Sequence, residues 1–120
     1  MSYLAIWVDD ERKMPIDVAL KTGEKYSVWA TTTNQALKAI KHSYKSGVRN
    51  FMLDMDNDSG DTENINGGDF INVLDTIDCL TYSGKMTNCH FLVRIHTGNS
   101  VARSRMRAII EHNPYMNEVI

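Results

Sequence analysis

The 120-residue chain is short of several things, and each shortage excludes a class of protein. Two cysteines, Cys79 and Cys89, are too few for the disulfide framework of a small secreted domain. They form no CxxC pair and share no ligand spacing with the four histidines, so a zinc site is not expected, and both read as reduced thiols. Neither charge sign dominates. Thirteen Lys and Arg face fifteen Asp and Glu, a formal net charge of −2. That argues against general nucleic-acid binding and against a polybasic membrane clamp. No apolar run approaches the roughly 18 residues of a membrane span. No basic-then-apolar leader opens the sequence, so the expected compartment is the cytoplasm. Repeats, low-complexity tracts and linkers are also missing, and residues 1–120 read as a single domain.

What the sequence does contain is an alternation of short apolar runs and helical patterns. Leu4 to Val8, Ser27 to Ala30, Asn50 to Leu53 and Phe91 to Ile95 are apolar on both faces, as strands buried in a parallel sheet are. Thr32-x-x-Gln35 reads as a capping box, followed by Ala36, Leu37, Ile40 and Tyr44 at helical spacing. Phe70, Val73, Leu74 and Ile77 mark a second helix after Gly67-Gly68. Ala102, Met106, Ile109 and Ile110 mark a third, with Pro114 just beyond it. Between Arg12 and Tyr26 there is room for a short helix at most, and Thr81 to Asn88 reads as a loop. The alternation predicts an α/β fold: an open, mostly parallel flavodoxin-like sheet of about four strands, order 2-1-3-4, with helices on both faces. A fifth strand is not evident in the few residues after Pro114.

The chemistry gathers where such a sheet binds ligands, outside the carboxyl ends of its strands at the switch point. The first strand ends in Asp9, Asp10, Glu11 and Arg12, the third in Asp54 and Asp56, and the fourth in His96, Thr97 and Asn99. Two adjacent acidic strand ends repel unless a cation neutralises them, and hard carboxylate oxygens select Mg²⁺, Mn²⁺ or Ca²⁺. Asp54-x-Asp56-x-Asp58 resembles the start of a calcium loop, but Ser59 and Ile65 stand where that loop needs Gly and Glu. Asp58, Asp61 and Glu63 read as a solvated loop. His96, the only histidine at a strand end, is placed either for general acid or base work or as a hydrogen-bonded histidine bridging a loop. Asn99 or Ser100 caps the last helix, whose free N–H groups, with Arg103 in its first turn, suit a phosphate. Arg105, Arg107, His42 and His112 read as solvent-facing, and His90 as structural. Trp29, Tyr44 and Tyr82 suit a contact surface or stacking on a base, and core packing explains Trp29 and Tyr44 equally well.

The Asp9-Asp10 pair, Asp54 and Thr97 resemble response-regulator receiver domains, in which the acidic pair and the third aspartate hold Mg²⁺ and that aspartate accepts a phosphoryl group. A closer resemblance exists. Ile6-Trp7-Val8-Asp9-Asp10-Glu11-Arg12, Leu53-Asp54-Met55-Asp56, Gly68-Asp69 and Ile95-His96-Thr97-Gly98-Asn99, with Arg103 and Met106, look like the cyclic-phosphate-processing receiver domains. Met55 stands where that group has histidine, and Thr97 where it has serine. No lysine follows His96, whereas signalling receivers carry one at the end of a fifth strand.

The resemblance implies a metal-dependent phosphoesterase acting on a cyclic phosphate of a nucleotide, a cyclic oligonucleotide messenger or an RNA end. Its expected cofactor is Mg²⁺ or Mn²⁺, held by Asp9, Asp10, Asp54 and Asp56. The expected catalytic residues are His96, Asp54 and Asp10, and the expected phosphate ligands are Arg12, Thr97, Asn99 and Arg103. The alternative is a non-enzymatic module that binds a phosphate-bearing nucleotide or a partner protein. A phospho-accepting receiver is less favoured, because the C-terminal lysine is absent.

Overall fold

A computed structural model describes residues 3–16, 25–56 and 70–119. Among these residues five strands form one sheet: β1 (Leu4–Val8), β2 (Tyr26–Ala30), β3 (Asn50–Met55), β4 (His90–Ile95) and β5 (Met116–Glu118). Their order is β2-β1-β3-β4-β5, and every neighbouring pair is parallel. Among the described residues three helices connect them: α1 (Thr33–Lys45), α2 (Ile71–Tyr82) and α3 (Ser100–His112). The expected α/β fold and strand order are observed, with a fifth strand added at the edge. No described helix is long and apolar enough to cross a membrane.

Side chains alternate across a strand, which sorts the sheet into two faces. On one face Ile6, Val8, Phe51, Leu53, Met55, Phe91, Val93 and Ile95 are buried in a single cluster. The same cluster takes Ala36 and Ile40 from α1, Leu74 and Ile77 from α2, and Met106 and Ile110 from α3. The three described helices therefore share one face of the sheet. The opposite face carries a smaller cluster of Ala5, Trp7, Tyr26 and Met52, with Tyr3, Met14 and Leu92 against it. Segment 17–24, where a short helix had room, lies outside the described residues.

The helix starts follow their capping chemistry. The Gln35 N–H donates to the Thr32 hydroxyl at 3.1 Å. The Gln35 side-chain oxygen reaches back one residue further than a capping box requires and accepts the Thr31 N–H at 2.8 Å. Asn99 caps α3, accepting from the N–H groups of Val101 and Ala102. Thr81, expected in a loop, lies in the last turn of α2, where its hydroxyl donates back to the Ile77 carbonyl.

Strand β5 has only three residues, of which Met116 alone is buried. It is held by the ladder, with Phe91 N–H donating to Tyr115 O and Val119 N–H to Val93 O, each at 2.8 Å. Arg107 on α3 grips Glu118 with two guanidinium nitrogens.

Candidate active site

Three backbone hydrogen bonds continue the ladders past the strand ends and set the site's floor. Asp9 N–H donates to Ala30 O at 3.1 Å, Asp56 N–H to Val8 O at 2.9 Å, and His96 N–H to Met55 O at 2.9 Å. The ends of β1, β3 and β4 are thereby held side by side at the switch point.

Asp9 is fully buried. Its Oδ1 accepts the N–H groups of Glu11 at 2.9 Å and Arg12 at 2.8 Å, so the acidic loop curls around its own first carboxylate. Two indoles pin the same loop. Trp7 Nε1–H donates to Arg12 O and Trp29 Nε1–H to Asp9 O, each at 2.8 Å. Burial pushes the Asp9 carboxyl up, but the Arg12 and Glu11 N–H groups and His96 outweigh it and hold it below its ordinary value.

β3 runs two residues further than the sequence pattern suggests, so Asp54 lies inside the strand. It is in register with Trp7 on one side and Arg94 on the other. By alternation Asp54 shares a face with Met52, while Leu53 and Met55 turn into the helix-covered core. Met55 is fully buried there, across the sheet from Asp54. The residue that replaces the resembled group's histidine thus takes no part in the acidic cluster.

His96 is the bridge between the two buried carboxylates. Its Nδ1–H donates to Asp54 Oδ1 at 2.5 Å and its Nε2–H to Asp9 Oδ2 at 2.9 Å. A carboxylate oxygen at each ring nitrogen favours the imidazolium, the form in which both nitrogens donate. Burial pushes His96 down, but the hydrogen bonds and charges of Asp54 and Asp9 prevail and raise it above its ordinary value. The ring lies on Trp7, centroids 4.3 Å apart and planes 4° from parallel. Asp54 Oδ2 accepts the Tyr26 hydroxyl, with Arg94 Nη1 3.7 Å away.

Of the four residues expected to hold a metal, Asp9, Asp10 and Asp56 each offer an oxygen within 4.8 Å of the others. Asp54 is outside this triplet, with its oxygens on His96 and Tyr26. The triplet suits a hard divalent cation. Asp10 Oδ1 is buried with no hydrogen-bond partner, the kind of orphan that a cation satisfies. Burial raises the Asp10 carboxyl, and Glu11, Asp56 and Asp9 push it up further against its own backbone hydrogen bond.

The expected phosphate ligands come together on the β4–α3 loop, largely engaged with backbone. Arg12 Nη1–H donates to His96 O at 3.0 Å and Arg103 Nη2–H to Thr97 O at 2.8 Å. Thr97 is buried, its hydroxyl accepting the Asn99 N–H at 3.2 Å. Asn99 occupies two of the N–H groups that α3 offers an anion. Each guanidinium keeps further donors, and Arg12 is exposed.

His42 and His112 are exposed. His90 sits at the other end of β4, against Tyr3 and Asn117. Arg49 stacks over Tyr44 at 3.9 Å. Trp29 is 40% exposed, and Tyr82 is exposed with its hydroxyl donating to His112 O. Both cysteines are free. Asp58, Asp61, Glu63 and Gly67 to Asp69 lie outside the described residues. Two participants escaped sequence reading, Tyr26 and Arg94. A charged residue inside the apolar run of β4, next to its last position, was the available signal for the second.

A parallel five-stranded α/β sheet with an acidic cluster at the ends of β1 and β3 defines a receiver-like domain. Residues 4–112 match the model of the cyclic-phosphate processing receiver domain, and the chain belongs to that family. No curated protein and no solved structure matches the chain.

Proposed function

We propose that the protein is a metal-dependent phosphoesterase that hydrolyses a cyclic phosphate of a nucleotide, a cyclic oligonucleotide messenger or an RNA end. The observation that carries this reading is the Asp9–Asp10–Asp56 triplet, with its orphaned Asp10 oxygen, in a chain of the cyclic-phosphate processing family. These three residues would hold Mg²⁺ or Mn²⁺, which supplies charge neutralisation at the phosphoryl oxygens and an acidified water.

The chain's own residues do the rest. Asp9 is oriented by the N–H groups of Glu11 and Arg12 before any ligand arrives. His96 carries the positive charge that lets Asp9 and Asp54 lie buried together. Arg12 and Arg103 fix the β4–α3 loop and direct their remaining N–H groups at non-bridging oxygens. The exposed indole of Trp29, tied to the Asp9 carbonyl, offers a base a stacking face beside the phosphate site. Because both Asp54 oxygens already accept from Tyr26 and His96, Asp54 is ill placed to take up a phosphoryl group. That favours hydrolysis over a phospho-accepting switch.

The test is a chromatographic screen of 2′,3′-cyclic, 3′,5′-cyclic and cyclic di- and trinucleotides with Mg²⁺, Mn²⁺ or EDTA. A metal-dependent product is expected. Ligands that bind but stay intact would replace the esterase by a binding module.

A further inference from the structure

We propose that Tyr26 is a positioning residue of this site: its hydroxyl, turned onto the acidic face by a bulge in β2, holds one oxygen of Asp54 so that the other meets His96. The geometric part stands by itself, and the catalytic part rests on the phosphoesterase reading above.

The bulge comes first. In a regular strand Tyr26 and Val28 would share a face. Here the β1–β2 register steps from Ala5↔Tyr26 to Ile6↔Val28, leaving Ser27 as an extra residue. Val28 accordingly packs on the helix-covered core, while Tyr26 joins Ala5, Trp7 and Met52 on the opposite face. Bulges are rare between parallel strands, and near active sites they re-aim a side chain. A plain period-2 strand would have put this phenol in the wrong core.

The re-aimed ring is then fixed on both sides. It is 8% exposed and meets Trp7 edge-on, centroids 5.3 Å apart at 74°. Its hydroxyl donates to Asp54 Oδ2. A carboxylate turns easily about its last torsion. Arg94, half exposed with Nη1 3.7 Å from the same oxygen, is the competing donor. The phenol decides that competition, because it is buried and already aligned, and the Asp54–His96 bond of 2.5 Å is the result. A phenol also donates at every pH the protein meets, since burial and the Asp54 carboxylate both drive its ionisation upward. Through Asp54 the constraint passes to His96, and from His96 to Asp9.

Tyr26→Phe removes the oxygen and keeps the ring. Protein labelled with ¹⁵N-histidine, folded by its amide spectrum, should show a downfield, slowly exchanging His96 Nδ1 proton in the wild type. In Tyr26→Phe that proton should exchange at least about tenfold faster, as a hydrogen bond worth roughly 1.4 kcal/mol is loosened. In Arg94→Met it should stay slow. Exchange in Tyr26→Phe within about twofold of the wild type would overturn the proposal. Should Tyr26→Phe not fold, fluorotyrosine at position 26 gives a stronger donor in the same ring. It should slow the exchange, and no change would sink the idea.

The kinetic arm uses whichever cyclic nucleotide the wild type hydrolyses. kcat should fall about tenfold in Tyr26→Phe with KM unchanged, the mark of a group that aligns catalytic residues. A raised KM with unchanged kcat would mean that Tyr26 touches substrate, and the positioning role would be lost. A wild type that hydrolyses nothing would remove the phosphoesterase reading, while the exchange comparison still decides whether Tyr26 sets the Asp54–His96 geometry.

Discussion

His96 lies flat on Trp7, with ring centroids 4.3 Å apart and planes within 4° of parallel. The contact places a cationic ring on the best aromatic partner for one, in a site from which water is largely excluded. The same indole donates to the Arg12 carbonyl, so one side chain supports both the histidine and the acidic loop. Trp7→Phe, which keeps an aromatic face but loses the N–H, should cost about 1–2 kcal/mol in urea unfolding. Trp7→Ala should cost about 3–5 kcal/mol. Equal costs for the two variants would show that the indole N–H, rather than the stacked ring, carries the stabilisation.

The His96 bridge makes stability depend on pH in a direction that its neighbours fix. The folded protein binds the His96 proton more tightly than the unfolded chain does. Its contribution is therefore complete below about pH 6.5 and disappears as pH rises through the raised folded value. Asp9 works at the other end. Its lowered carboxyl contributes fully above an ordinary value of 3.8 and loses that contribution as pH falls through the lowered one. Metal-free protein should be most stable between these limits and should weaken toward alkaline pH. His96→Gln should be less stable by about 3–5 kcal/mol near pH 6, since it leaves two buried carboxylates without their cation. It should also lose most of the alkaline slope. Urea titrations from pH 4 to 9 in EDTA measure both, and an unchanged slope in the variant would assign the pH dependence elsewhere.

Asp10 has the opposite sign. Its carboxyl is raised, chiefly by burial and then by the like charges of Glu11, Asp56 and Asp9, so at neutral pH its ionised form burdens the metal-free fold. Asp10→Asn should raise the thermal midpoint in EDTA. In the wild type a divalent cation at about one hundred times its Kd should add about 2.7 kcal/mol. The variant should lose most of that gain, since it trades one carboxylate oxygen for an amide nitrogen and gives up one charge of the triplet. Thermal melts with and without Mg²⁺ or Mn²⁺ decide this. A full metal response in Asp10→Asn would place the cation elsewhere.

Much of the fold was legible because buried parallel strands announce themselves as short apolar runs, helices α1 and α3 carry caps, and all three described helices carry apolar stripes. β5 was not, because Met116-Asn117-Glu118 has one apolar side chain and owes its place to ladder bonds and to Arg107. The site was legible as a neighbourhood. Residues after β1, β3 and β4 meet at the switch point because topology demands it. The division of labour within it was hidden. It depends on side-chain direction, which is set by whether β3 continues through Asp54 and by one bulged residue at Ser27. Nor does any sequence pattern reveal that His96 spends both ring nitrogens on carboxylates.

That arrangement sharpens what Asp54 does. With no oxygen in the metal triplet, its effect on turnover would pass through His96 and Asp9. Asp54→Asn preserves shape and offers the same two positions an oxygen and an amide nitrogen. If the oxygen faces His96, the amide meets the Tyr26 hydroxyl, which can accept as well as donate. The fold should survive, with a lowered midpoint, because His96 keeps only one carboxylate partner. Turnover of the cyclic substrate should fall by roughly 10² or more, the usual scale for losing a preorganised charge at a reacting site. The midpoint gained on adding Mg²⁺ should change little, since Asp9, Asp10 and Asp56 are all retained. A variant that loses turnover and the metal response together would make Asp54 a ligand. One that keeps its turnover would remove Asp54 from the mechanism and leave it as the buried counter-ion of His96.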